Sequence, residues 1–199
     1  MRNRDWTKVL GWPGYRVYQV EINESAGRLR LWVRRKGGNR RLVCSACGRR
    51  VAEIHETYER EVRDLPVFQF QTTVVIELHR LRCPDCGIKA ERVDQLPSKA
   101  PFSKRFEDMV GQACESAPAR QVARQCGVAA STVRAIDLRY LERWTKSRKK
   151  VALRQMGVDE IHLGKKQKFL TVVSNLETGE PLWFGRERKE ETLDEFLGT

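Results

Sequence analysis

Long apolar runs are missing from this chain: none approaches the roughly 18 uninterrupted apolar residues of a membrane-crossing helix. The opening residues, Met1 to Trp6, also lack the apolar stretch of a secretory leader. Together these absences lead to the expectation of a cytoplasmic protein with reduced thiols and no membrane partner. Apolar content is lean as well, at 40% of 199 residues, which favours two or three small modules over one large core. No aromatic-rich RNA-binding signature is present, so an RNA partner is the weaker reading. Acidic residues are in deficit, 26 against 38 lysines and arginines, for a net charge of +12. The excess is concentrated: residues 1–43 carry 11 basic and 3 acidic groups, residues 101–150 carry 11 and 5, and the stretches 44–100 and 151–199 are near balance. Two basic regions of this kind attract a polyanion, with affinity that falls steeply with salt.

Against that background stand two Cys-x-x-Cys pairs, Cys44/Cys47 and Cys83/Cys86, each followed by a glycine, Gly48 and Gly87. A two-residue spacer lets both thiolates of a pair face one ion, and two such turns complete a four-thiolate tetrahedral shell. The 35 residues between the pairs are to be spanned by strands and a hairpin. Structural zinc is the expected cofactor, with iron the alternative that takes the same sulfur shell. Disulfide or redox pairs are the competing reading, and Cys114 and Cys126 have no motif partner. His55 and His79 are read as surface or packing residues, since four thiolates already fill a tetrahedron.

Alternation predicts strands over 15–22 and 28–35, with Leu29, Leu31 and Val33 on one face of the second. Arg28, Arg30 and Arg34 line its other face and, with Arg35, Lys36, Arg40 and Arg41, form a basic rim that is either a solvated face or a set of phosphate contacts. A long strand is predicted over 67–80, delivering Cys83. After Pro97 and Pro101 the pattern turns helical. A helix is expected over 103–117 with Ser103 as N-cap and Glu107 and Asp108 in its early turns. Pro118 opens a short helix to Gln125 that ends at Gly127, and a third helix follows over 131–146. Ala123, Gly127, Val128 and Val133 suit a helix-turn-helix joint. On that reading Ala130, Ser131, Thr132 and Arg134 face base edges, while Arg120, Arg124 and Arg139 hold phosphates.

Past residue 153 the sequence reads as three strands, at 156–163, 167–174 and 181–184, followed by the start of a helix near Lys189. Asp159 lies in the first strand among apolar residues, where a carboxylate is costly without a partner or metal; taken alone it reads equally as a strand-end turn residue or a metal ligand. The order of a cysteine pair, Arg63-Asp64-Leu65-Pro66, a second pair within Arg82 to Gly87, a helix-turn-helix, then Gly157 to Glu160, Phe169 to Val173 and Glu177 to Gly179 resembles bacterial insertion-sequence transposases of the IS-L-three type. The resemblance runs from about residue 15 to 199.

It implies an α+β multi-module chain: a β-rich four-cysteine zinc-binding module over 1–100, a helix-turn-helix DNA-binding domain over 101–150, and over 151–199 the first strands of a ribonuclease H-like α/β domain. It implies double-stranded DNA with terminal inverted repeats as the partner, and a nucleoid location. It further implies a catalytic site holding two magnesium ions between two aspartates and a glutamate, with Asp159 as the first. The second aspartate and the glutamate are expected beyond Thr199, so the 199 residues are expected to bind element ends without strand transfer, as a homodimer or in association with a full-length transposase. The alternative is a zinc-containing helix-turn-helix regulator.

Overall fold

The computed structural model describes residues 2–37, 42–96, 99–147, 153–164, 169–186 and 189–197. They fall into two compact units, 1–146 and 147–199. Arg40, Arg41 and Pro97 lie outside the described residues.

The first unit opens with helix α1, Asn3–Leu10, which drops buried Trp6 and Leu10 onto strand β1, Tyr15–Asn23. Strand β2, Arg28–Arg35, returns antiparallel to β1. Its period-two pattern places Leu29, Leu31 and Val33 at 0–1% exposure, as the alternation requires. Strand β3, Ile54–Arg63, pairs antiparallel with the long strand β4, Gln71–Cys83, and β4 lies parallel to β2. The sheet order is β1-β2-β4-β3. A short strand β5, Gly87–Ala90, pairs with Arg80–Cys83 of β4. Since Leu81 has Ile54 on one side and Lys89 on the other, β5 takes the flank of β4 that β2 vacates after Ile76. Central β4 is buried at Val74, Ile76, Leu78 and Leu81.

The long strand starts later than the apolar run suggests. Val67 and Phe70 bridge each other across a tight turn, with Phe68 at φ 53° and largely exposed, so the first four residues of the run turn rather than extend. Helix α1 lies outside the predicted elements although Trp6 and Leu10 stand one turn apart on its buried face; strands β3 and β5 carry no clear periodic signal, β3 having exposed or half-buried positions everywhere but Val62.

Helix α2, Lys104–Cys114, begins at the expected cap, where Ser103 Oγ accepts the Phe106 N–H at 3.2 Å. Helix α3, Ala119–Cys126, has Pro118 as its N-cap, and helix α4 covers Ala130–Ser147. Phe106, Val110, Val122, Ala123, Val133 and Ile136 form their shared core. Gly111 permits the contact of α2 with α4, since a Cβ there would lie 2.2 Å from Cγ of Tyr140. Trp144, at the helical spacing of a core residue, is 44% exposed.

The second unit is an antiparallel sheet of β6 (Met156–His162), β7 (Phe169–Asn175) and β8 (Glu180–Arg186), in that order, followed by helix α5, Glu190–Leu197. Only the middle strand is well buried, at Thr171, Val172, Val173 and Asn175. Strand β6 is an edge and exposes Met156, Val158 and Ile161. Among the described residues no helix is long and apolar enough to cross a membrane.

Candidate metal centre and nucleic-acid interface

Each cysteine pair sits on a turn that its glycine makes feasible. Gly48 and Gly87 have φ of 76° and 70°, in the left-handed region that a side chain disfavours. The first turn closes through the Gly48 N–H to the Cys44 carbonyl at 3.0 Å and the Cys44 N–H to the Arg49 carbonyl at 2.8 Å. The second lies between the end of β4 and β5. Cys44 also bridges to Glu91, and the Ser45 N–H reaches the Ala90 carbonyl at 3.1 Å, so the first turn is sewn onto the strand that leaves the second.

The sulfur atoms of Cys44, Cys47, Cys83 and Cys86 all lie within 4.8 Å of one another. Cys47 and Cys83 are 3.6 Å apart. At a zinc–sulfur distance of about 2.3 Å a regular tetrahedron has edges of roughly 3.8 Å, so the four thiols already stand close to a tetrahedral sulfur shell. Backbone N–H groups of Cys47 and Ala46 pull the Cys44 thiol down to about 7. The adjacent Cys47 sulfur, with burial, pushes Cys86 up to about 12. Four clustered thiolates repel one another; a divalent cation at their centre removes that penalty. Arg49 Nη1 donates to both oxygens of Asp85 at 2.9 and 2.8 Å, linking the two turns at the surface. Neither histidine contributes: His55 is exposed, and buried His79 shares a 2.9 Å hydrogen bond with Thr57.

The helical half carries the other candidate residues. The turn between α3 and α4 has Gly127 at φ 64°, its N–H on the Ala123 carbonyl. Val133 is fully buried in the joint and Val128 packs beside it. Arg120 and Arg124 on α3 and Ser131 and Arg134 on α4 are exposed, with Thr132 half-buried. The three arginines form no hydrogen bond or ion pair with any described residue. Arg139 differs from expectation: its guanidinium is spent on the fully buried Glu107, at 3.1 and 2.6 Å. Arg143 joins it at 3.0 Å on Glu107 and 2.6 Å on Asp108, which fixes α4 across α2. Glu107, read from sequence as a helix-dipole residue, thus serves as a buried counter-charge.

Of the predicted basic rim, Arg28 and Lys36 have no side-chain partner among the described residues, and three others are engaged. Arg30 pairs with Glu61 and Arg35 with Glu91, while Arg34 stacks over Tyr18.

A residue that pattern reasoning passed over ties the two halves together. Asp64, at 0% exposure, accepts from Trp12 Nε1 at 3.0 Å, Ser103 Oγ at 2.6 Å and Arg105 Nε at 2.7 Å, with a further bond from the Arg105 fork. Its neighbour Arg63 donates to Gln71 at 2.7 Å and to the Cys126 carbonyl at 3.2 Å, and lies over Phe106. A single Arg-Asp step thereby joins sheet, α1, α2 and the end of α3. In sequence it is visible only as part of the Arg63 to Pro66 motif.

Asp159 sits on β6 opposite Val172, but on the open edge strand, where it is exposed. Its Oδ1 accepts the Glu160 N–H at 2.7 Å. Exposure removes the burial cost expected for it. Among the described residues it belongs to no cluster of three or more metal-ligating side chains.

Comparison with known proteins places these features in one series. Residues 40–86 match the zinc-finger of transposase IS204/IS1001/IS1096/IS1165, residues 91–141 the helix-turn-helix domain of transposase family ISL3, and residues 156–199 the DDE transposase domain of that family. A Bordetella parapertussis protein described as the transposase for insertion sequence element IS1001 is 32% identical over 191 residues, covering 94% of this chain. The chain spans 46% of that protein's length. No solved structure matches.

Proposed function

Because the chain belongs to the ISL3 family of insertion-sequence transposases, we propose that it recognises the terminal inverted repeats of an insertion sequence as duplex DNA, as the end-binding portion of a DNA transposition enzyme. One observation carries this reading. The helix-turn-helix leaves Arg120, Arg124 and Arg134 unpaired at its surface, while Arg139 and Arg143 farther along α4 are used internally to hold that helix in place. Ser131, Thr132 and Arg134 at the start of α4 read base edges, and Arg120 and Arg124 anchor phosphates. Arg139 acts through Glu107 by positioning α4. The four-cysteine centre holds zinc and stiffens the sheet beside the helices.

Asp159 supplies the first carboxylate of the magnesium-dependent chemistry that the family resemblance implies. A two-ion site needs several carboxylates, and Asp159 alone does not hold a pair of ions. The 199-residue polypeptide is therefore proposed to bind element ends, as a homodimer or with a full-length transposase, without cutting them.

The test uses one end-labelled duplex bearing the element's terminal repeat, incubated with the protein and magnesium and divided between native and denaturing gels. A retarded but uncut duplex is expected. Cleavage at the repeat boundary that disappears in Asp159→Ala would overturn the inactivity, and retention of host promoter fragments in preference to the repeat would favour a regulator.

A further inference from the structure

The residues before the first family match, 2–37, build a feature that the helix-turn-helix reading does not use. Helix α1 lies along β1, held by the Thr7 hydroxyl, which accepts the Val17 N–H at 2.9 Å and donates to the Asn3 carbonyl at 2.9 Å. Asn3 Nδ2 donates to the Tyr18 carbonyl at 2.7 Å. Between them runs a groove of about 440 Å³ lined by Arg4, Thr7, Lys8, Arg16, Val17 and Lys36. Four of the six lining residues are cations and none is acidic; the cations give the groove mainly their apolar stems, and their side chains are exposed to solvent.

Elsewhere in the first unit several cations are neutralised. Arg30, Arg49, Arg80, Arg105 and Arg143 are each matched with a carboxylate. The groove beside the β1–β2 turn mixes Arg28, Arg30 and Arg63 with Glu21 and Glu61. By contrast the side chains of Arg4, Lys8, Arg16 and Lys36 are exposed and pair with no described residue. Arg4 and Lys8 are one helical turn apart on α1, so they share a face. Like charges gathered on a fixed surface repel one another, and a polyanion relieves that repulsion while releasing its own counterions.

The groove is rigidly connected to the helices that face DNA in the proposed function. The end of α1 accepts Arg105 Nη1 at the Leu10 carbonyl, 2.7 Å, and Trp12 just beyond it donates to Asp64. Ser103, the cap of α2, donates to the same carboxylate. We infer that the α1–β1 groove is a second DNA-backbone site, which holds phosphates of the duplex outside the stretch read by the helix-turn-helix and adds affinity independent of sequence. This inference rests on the DNA-binding reading for the choice of polyanion.

The test measures binding of the zinc-loaded 199-residue protein to a repeat-bearing duplex and a scrambled duplex over a series of salt concentrations. The triple variant Arg4→Gln, Lys8→Gln, Arg16→Gln is expected to lower affinity for both duplexes by one shared factor. The slope of log K against log salt should become shallower by about 0.9 for each phosphate that is no longer neutralised, hence by roughly 2 to 3. Zinc content and melting temperature should not change, because the three side chains are exposed and unpaired. Arg134→Ala run beside it should instead reduce the preference for the repeat. An unchanged slope in the triple variant with the preference intact overturns the groove and leaves the helix-turn-helix standing. A shallower slope in a protein that shows no preference for the repeat supports the groove and overturns recognition by α4.

Discussion

Asp64 shows how much one carboxylate can organise. Fully buried, it is satisfied by an indole from the stretch after α1 and by a hydroxyl and a guanidinium from the start of α2. Removing one partner of a buried ion pair leaves the other charge poorly compensated. Asp64→Asn is expected to destabilise the first unit by about 3 kcal/mol, the low end of the range for buried pairs because Arg105 is partly exposed. The check is a urea midpoint lowered at unchanged slope. His79 supplies a pH signal. Burial holds its imidazole below its ordinary value of 6.5, against the opposing pull of Glu77. Between the folded value and 6.5 the unfolded chain binds more protons, so stability falls as pH drops from 6.5 toward the folded value. Urea midpoints at about pH 7.5 and pH 5.5 should show this fall in the parent and a smaller one in His79→Gln, which cannot take up the proton. At this scale the cysteine cluster was legible because Cys-x-x-Cys geometry is local. The roles of Asp64, Glu107 and Arg139 were not, because each depends on partners 32 or more residues away.

Among the elements, α3 and α4 were readable to within one residue, whereas α2 ends at Cys114, short of the expected 117; Ser103, Pro118 and Gly127 start and stop helices by their own local requirements. The strands divide differently. The pair β1 and β2 announced itself by alternation, whereas β3 is polar on most positions and exists because β4 offers it a ladder. The packing of α4 on α2 turns on Gly111. Gly111→Ala would drive a methyl to 2.2 Å from Cγ and 2.6 Å from Cβ of Tyr140, so trimming Tyr140 does not relieve the clash and the helices must separate. Overpacking of this kind costs about 1–3 kcal/mol. A lowered thermal midpoint together with weaker binding to the terminal repeat is expected, the second because α4 carries Arg134; undiminished binding would show that the angle of α4 is not critical.

On the scale of the molecule, the four-cysteine centre closes the far end of the central strand: Cys83 is the last residue of β4, which pairs with β2, β3 and β5. Chelation is therefore expected to loosen the sheet and not the cysteine turns alone, since metal-binding free energy of order 10 kcal/mol is folding free energy in small sites. Hydrogen exchange with and without chelator checks this, with loss of protection along β4 expected and no change in β7 of the second unit. The sequence by itself determined the three kinds of module, their order, the four clustered cysteines and the helix-turn-helix, because these rest on short spacings, capping and periodicity. Only the tertiary structure decided that the sheet and the helices are one compact unit, that Arg139 pairs with buried Glu107, that Asp159 is exposed on β6 among the described residues, and that unpaired cations of the N-terminal segment gather at one groove. Those outcomes depend on which distant charges meet, and electrostatic pairing across a fold leaves no periodic trace in the chain that encodes it.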